Sequence, residues 1–305
     1  MNDIYKSLAG RTPDTQFRNL CRLVLRVGVR SETQQSRKKG EKERATYSIP
    51  YPVVSVYPID NGFPMETARR IGKAGISESL ALLVNGVRMN DELNREWGVP
   101  FWNSTFADPE KCRKRGLKQG DLGPASYAVL SHFPMPNGGT FNQIQAVLAQ
   151  IREYPHLKTH IMTTLYPPGI YRCTEMAQQV VTVPCHGNII NILIQEGKLH
   201  YQTVWRSIDL GAGEPHDRIG HAALWLAICH VLGCPPGAMS IVYLNAHYYE
   251  NQRYVIEELV AREPRQFPTV VLRDPPEALE AFRKEHFEIN GYDPHPAIVD
   301  IPVSP

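Results

Sequence analysis

Three short stretches of this 305-residue chain carry residue types that do covalent and anion-binding chemistry. "VTVPCHGNII" (181–190) sets Cys185 beside His186 after a proline. "WRSIDLGAGEPHDR" (205–218) holds Arg206, Ser207, Asp209 and Asp217 around a Gly-x-Gly turn. "NAHYYEN" (245–251) places His247 and Tyr249 two residues apart. A thiolate is a strong nucleophile where its surroundings lower its pKa. A guanidinium fork binds phosphate through two hydrogen bonds, and a neighbouring hydroxyl adds a third. Alternate residues of a strand share a face, so His247 and Tyr249 form a pair suited to gripping a hydroxyl group.

Each stretch also has a plainer reading. Neighbours in a strand point to opposite faces, so His186 is badly placed to act as a base for Cys185. On residue type alone, an inert buried thiol is the commoner state of Cys185. Arg206 fits a surface ion pair, His247 a satisfied core histidine, and Asp217 the N-cap of a helix over 218–233. The six cysteines are scattered without a C-x-x-C or a zinc-like grouping with histidine, which predicts free thiols and no metal site. With 42% hydrophobic and 21% charged residues and a net charge of +2, the composition is that of a soluble enzyme. It makes no demand for nucleic acid or an anionic membrane. The N-terminal stretch has no apolar signal core, so a cytoplasmic protein is expected.

These residues need elements to position them. Periodicity predicts an amphipathic helix over 15–29, a strand over 51–59, a mostly buried helix over 76–86 carrying Glu78, and an amphipathic helix over 141–153. A short strand is expected at 160–166. "NIINILI" and "LHYQTVW" flank "QEGK", a hairpin with Gly197 in its turn. Within it, Leu199, Tyr201, Thr203 and Trp205 share one face. The most apolar run, 221–234, holds two histidines and falls short of the about 18 residues of a membrane span; it reads as a buried helix over 221–233. A strand over 239–245, a helix from Arg253 and a last strand over 269–274 follow. The polar, basic stretch 30–46 reads as a solvated loop. No repeat or linker divides the chain. The mixed order of strands and helices predicts one α+β domain, 1–305.

Taken in order, "NGFPMETAR" (61–69), Glu78, "GDLGP" (120–124), "PCH" (184–186), "RSIDLGAGEP" (206–215), "AHYYEN" (246–251), "REPRQFP" (262–268) and "GYDPHPAI" (291–298) resemble the motifs of thymidylate synthases and their hydroxymethylase relatives. The resemblance runs from about residue 17 to the C-terminus. It implies a thymidylate synthase-like fold, a mixed β-sheet packed with helices, and a sheet-to-sheet homodimer whose C-terminal tail (290–305) closes the site. It implies a one-carbon transferase that takes 5,10-methylenetetrahydrofolate and a pyrimidine nucleotide, without metal. Cys185 then adds to C6 of the pyrimidine, and Arg206 lowers its pKa. Glu78 is the acid/base that organises water. Arg206 and Ser207 take the 5′-phosphate, His247 and Tyr249 a ribose hydroxyl, and Asp209, Gly213 and Trp102 lie on the cofactor side.

The departures from the family pattern bear on the substrate. Asp217 stands where the methylating enzymes carry an asparagine in "PFNIASY". A carboxyl group accepts from the 4-amino group of cytosine and, when protonated, donates to N3; uracil mismatches it. Leaving a buried polar edge unpaired discriminates by about 10⁴-fold. The expected substrate is therefore a cytidine monophosphate and the product its 5-hydroxymethyl derivative, with methylation of dUMP or UMP, or hydroxymethylation of dUMP, as the alternatives. Gly220 replaces a family serine and is expected to open room near the nucleotide. Lys158 and Thr159 replace an arginine pair that reaches the phosphate across the dimer, and Lys158 loses the bidentate fork. Both changes point to CMP over dCMP. Ser126 replaces a family tyrosine, with Tyr127 one residue on, and Trp205 replaces a glutamine. The family's N-terminal phosphate motif is absent, leaving Arg30 and Arg37 as candidates.

Overall fold

The computed structural model describes residues 4–32, 45–102, 107–124, 126–171 and 187–303. A five-stranded mixed sheet forms its central layer. Across the sheet the strands are Val53–Pro58, Pro236–Tyr243, Lys198–Trp205, Gly187–Gln195 and Ile161–Thr163. Only the central pair is parallel, and a parallel pair needs a crossover. Here the crossover contains the long helix Glu214–Leu232. The hairpin expected at "QEGK" forms, with Glu196 at φ 49° and Gly197 at φ 69°. Two successive positive φ values are what a two-residue type I′ turn demands.

Leu199, Tyr201, Thr203 and Trp205 all point into the core, as their alternation predicts. The long helix covers that face, with its stretch from Arg218 to Cys229 buried throughout. That is why its sequence is apolar all round rather than along one stripe. Among the described residues, no helix is long and apolar enough to cross a membrane.

A second sheet runs Val29–Glu32, Ala45–Ser48, Ala246–Tyr249, Ile208–Asp209. It corrects the loop expected over 30–46 at both ends, because Arg30 pairs with Tyr47 and Glu32 with Ala45 in an antiparallel ladder. Arg37 lies outside the described residues. Arg30 reaches Glu250, with N–O distances of 3.1 and 3.4 Å, so its guanidinium has a protein partner.

The predicted amphipathic helices are present, each with a cap that fixes its start. Asp14 accepts from the Phe17 amide ahead of Thr15–Val27, and Asn142 from Gln145 ahead of Gln143–Glu153. The helix expected over 76–86 starts earlier, at Ala74, and passes at Leu80 into a π-helical turn through Val84. Such turns recur beside functional sites. The long helix also starts earlier than expected, at Glu214, with Pro215 in its first turn, where a missing N–H costs nothing. Asp217 is therefore inside the helix, and the N-cap reading of it is overturned.

The C-terminal segment forms a strand, Phe287–Asn290, paired with Thr269–Leu272, and then docks as extended chain. The Tyr292 hydroxyl donates to the Glu66 carbonyl (2.7 Å) and accepts from the Ile71 amide (3.0 Å). The Gln252 amide reaches the Pro302 carbonyl at 2.8 Å.

Candidate active site

The helix Ala74–Ser79 packs against the N-terminal half of the long helix with no side chains between them at two positions. A Cβ on Gly75 would press into the backbone of His216, 2.9 Å from its carbonyl carbon. One on Gly220 would overlap the Ser79 hydroxyl and sit 2.6 Å from the Gly75 carbonyl oxygen. Only glycine permits so close an approach. This corrects the expectation that Gly220 opens space for the nucleotide: the missing side chain is filled by the neighbouring helix.

That approach brings two carboxyl groups together. Glu78 is half-buried, accepts from Trp102 Nε1 at 2.5 Å, and feels the charge of Asp217. Burial first, and Asp217 second, push its pKa up to about 8, against the smaller opposing effect of the Trp102 hydrogen bond. Glu78 is thus a carboxylic acid holding its proton at neutral pH, the state a general acid needs. Trp102 meets Tyr127 edge to face, with ring centroids 5.7 Å apart. The displaced tyrosine thus backs the indole, while the buried Ser126 hydroxyl finds no partner among the described residues.

The residue before Asp217 continues the same wall. The His216 ring lies against Phe101, centroids 4.9 Å apart, so consecutive residues Phe101 and Trp102 face His216 and Glu78 in turn. Burial, helped by Arg69 and opposed by Asp217, lowers the His216 pKa to about 4. The imidazole is neutral across the physiological range.

Ser207, Asn245 and His247 form a second group where the two sheets meet. The Ser207 hydroxyl donates to Asn245 Oδ1 (3.2 Å) and lies 3.4 Å from His247 Nδ1. His247 and Tyr249 meet edge to face at 5.4 Å, confirming that the strand presents them on one face. Arg206 is exposed beside them. Asp209 pairs with His247 in the parallel ladder. Its carboxylate is held by the Gly211 and Ala212 amides (2.8 and 3.2 Å) and by Gln252 (2.7 Å). Asp209 therefore shapes the Gly-x-Gly turn and, through Gln252, connects to the tail. Gly213 caps the long helix: its carbonyl accepts from the His216 and Asp217 amides, both at 3.0 Å. Arg69 braces the turn from the other side, donating to the Gly211 carbonyl at 2.7 Å.

Beneath the site the long helix is anchored by Arg218, which has no exposed side-chain surface. It meets Asp14 (2.8 Å), Glu66 (2.9 Å) and Glu214 (3.1 Å), with Phe17 and Tyr57 against its guanidinium at 5.0 and 5.3 Å. Burial raises the Glu214 pKa to about 7 and raises that of Glu66. Glu214 and Glu66, buried away from water, are thus held above the range of a solvated carboxyl.

Of the residues singled out by sequence, the structure gathers Glu78, Trp102 and Asp217 into one wall, and Ser207, His247 and Tyr249 into another beside Arg206. Asp209 and Gly213 shape the turn between them. Lys158 is exposed, between the helix Gln143–Glu153 and the edge strand. Cys185 and His186 lie outside the described residues; the strand after them begins at Gly187, paired with Trp205. Sequence reasoning missed His216, Phe101, Asn245 and Arg218. A charged residue just ahead of the apolar run 221–234 was the available signal for Arg218, and "PHD" after a Gly-x-Gly turn that for His216.

A sequence model described as thymidylate synthase matches residues 15–303. The chain is 27% identical over 297 residues to thymidylate synthase of Homo sapiens, spanning 93% of this chain and 89% of that protein.

Proposed function

Because the chain belongs to the thymidylate synthase family of folate-dependent one-carbon transferases acting on pyrimidine nucleotides, we propose that it 5-hydroxymethylates a cytidine monophosphate. The observation that carries this reading is the carboxyl group of Asp217 beside Glu78, whose pKa is raised to about 8. A carboxylate oxygen accepts from the 4-amino group of cytosine but has nothing to donate to O4 of uracil. A mismatch in a buried polar edge is the kind that discriminates strongly.

In this reading Cys185 adds to C6 through its sulfur, which makes C5 nucleophilic. The bound 5,10-methylenetetrahydrofolate supplies the one-carbon unit. The apolar rings of Phe101 and Trp102 and the carboxylate of Asp209 suit a flat ring that carries N–H donors. Glu78 delivers and recovers a proton near the pyrimidine, and Asp217 orients the base. Arg206 and Ser207 bind the 5′-phosphate, and His247 and Tyr249 a ribose hydroxyl. With Gly220 filled by its neighbour, the preference for CMP over dCMP rests on Lys158, a single cation where the family pattern has an arginine pair.

The unpaired face of the central sheet supports a sheet-to-sheet homodimer. It displays Val54, Val56, Ile161 and Ile189, each at least 40% exposed, and a contiguous apolar face of this kind marks an interaction surface. Lys158 lies next to its edge strand and would be contributed across that interface.

Methylation of dUMP is the second reading, favoured by the name of the human relative. Nucleotides tritiated at C5 decide between them. CMP, dCMP, UMP and dUMP are incubated with the protein and methylenetetrahydrofolate, and tritium release, product mass and dihydrofolate absorbance are followed. Release from cytidine nucleotides with a hydroxymethyl product is the expected result, lost in Cys185→Ala. Release from uridine nucleotides alone, with dihydrofolate, would overturn it.

A further inference from the structure

His216 is a half-buried, neutral imidazole that the site described so far does not use. Its Nδ1 is buried and has no hydrogen-bond partner among the described residues. A buried polar atom without a partner costs about 1–3 kcal/mol, so one retained in a protein asks for a ligand or a water. Three observations place it on the wall that holds Glu78 and Asp217. His216 precedes Asp217 in the first turn of the long helix. Its ring rests on Phe101, whose neighbour Trp102 holds Glu78. Its backbone is clamped by Gly75, one turn from Glu78 on the opposing helix.

Resting on the hydroxymethylation reading above, we propose that His216 holds and orients the water that attacks the one-carbon group on C5. It is a positioning residue for the hydroxymethyl outcome. The water oxygen forms a bond to the exocyclic carbon. The electron pair of the exocyclic double bond moves into the ring and leaves with the Cys185 sulfur as the C6–S bond breaks, restoring C5=C6. The proton released by the water neutralises the departing thiolate. The groups facing the imidazole are Arg69 and Asp217, and burial leaves it too weak a base to keep that proton. Its contribution is therefore a hydrogen bond from the imidazole, beside the carboxyl groups of Glu78 and Asp217 on the same wall.

Full-length wild type, His216→Phe and His216→Asn are compared using 5-tritiated CMP and dCMP. Tritium release reports the steps up to loss of the C5 proton; hydroxymethyl product reports the water step. In His216→Phe, product per tritium released should fall at least about tenfold, the effect of losing one hydrogen bond to a reacting water. His216→Asn, which keeps a polar atom there, should recover part of it. Calorimetry without folate should give nucleotide Kd values unchanged by either substitution. An unchanged product-to-tritium ratio in His216→Phe would overturn the proposal, as would a Kd weakened in step with product. Wild type alone tests the parent reading: a methylated uridine nucleotide formed with dihydrofolate would sink hydroxymethylation itself, whatever the variants do.

Discussion

Glu78 and Asp217 are neighbours because Gly75 and Gly220 remove the side chains that would hold their two helices apart. The carboxyl pair is set by backbone packing, one turn away on each helix. The raised pKa of Glu78 follows from its burial first and from the charge of Asp217 second.

Gly220→Ala tests this directly. The added methyl would overlap the Ser79 hydroxyl and the Gly75 carbonyl, and overpacking a tight contact costs about 1–3 kcal/mol. The melting temperature should fall, and kcat should fall with it as the carboxyl pair separates. The ratio of kcat/KM for CMP to that for dCMP should stay constant. A changed ratio with unchanged stability would mean that Gly220 lines the nucleotide pocket after all.

Asp217→Asn gives the amide a donor for O4 and an acceptor for N3–H of uracil. Activity on cytidine nucleotides should drop by about 10³-fold or more, with a gain on uridine nucleotides, read as tritium release from each base. Equal losses on both bases would remove Asp217 from base recognition.

The central hairpin of this fold was legible in the sequence, because alternation on the strand Lys198–Trp205 and the Glu196–Gly197 turn are local signals; the strands Val29–Glu32 and Ala45–Ser48, whose stretch reads as polar and basic, were not. The start of the long helix was not. An apolar run announces the part of a helix that is buried all round, whereas its first turn, Glu214 to Asp217, carries polar residues committed to the site and to the anchor beneath it. The role of Gly220 was misread for a related reason. A glycine reads as missing volume, and only the opposing helix shows whether anything fills it. Arg218, just ahead of the apolar run 221–234, was missed because its partners Asp14 and Glu66 are far away in sequence and no spacing connects them.

The proton on Glu78 predicts a pH profile. With a pKa of about 8, the acid form is lost as pH rises, so kcat/KM should decline above about pH 8. Trp102 donates to this carboxylate and so stabilises its ionised form. Trp102→Phe should therefore move the limb to higher pH, and Asp217→Asn, which removes a like charge, should move it lower. A limb at the same pH in all three proteins would detach it from Glu78.

Arg218 governs stability in the same pH range. Glu214 holds a proton in the folded state up to about 7, against an ordinary value of 4.5. The folded protein thus binds a proton that the unfolded chain has already released. That contribution is full below 4.5 and is lost as pH rises through about 7, which follows from linkage. Arg218 is the cation that opposes these raised values in both Glu214 and Glu66. Arg218→Met leaves three buried carboxyl groups without it, a change that costs about 3–5 kcal/mol where the acids stay ionised. At pH 5 Glu214, with its pKa raised to about 7, holds its proton and the penalty shrinks. Urea melts of wild type and Arg218→Met at pH 5 and pH 8 should therefore diverge at the higher pH. Asp14→Asn, which removes one of the three acids and keeps the arginine, should lose less at pH 8. Parallel losses at both pH values would show that Arg218 contributes packing against Phe17 and Tyr57 rather than charge.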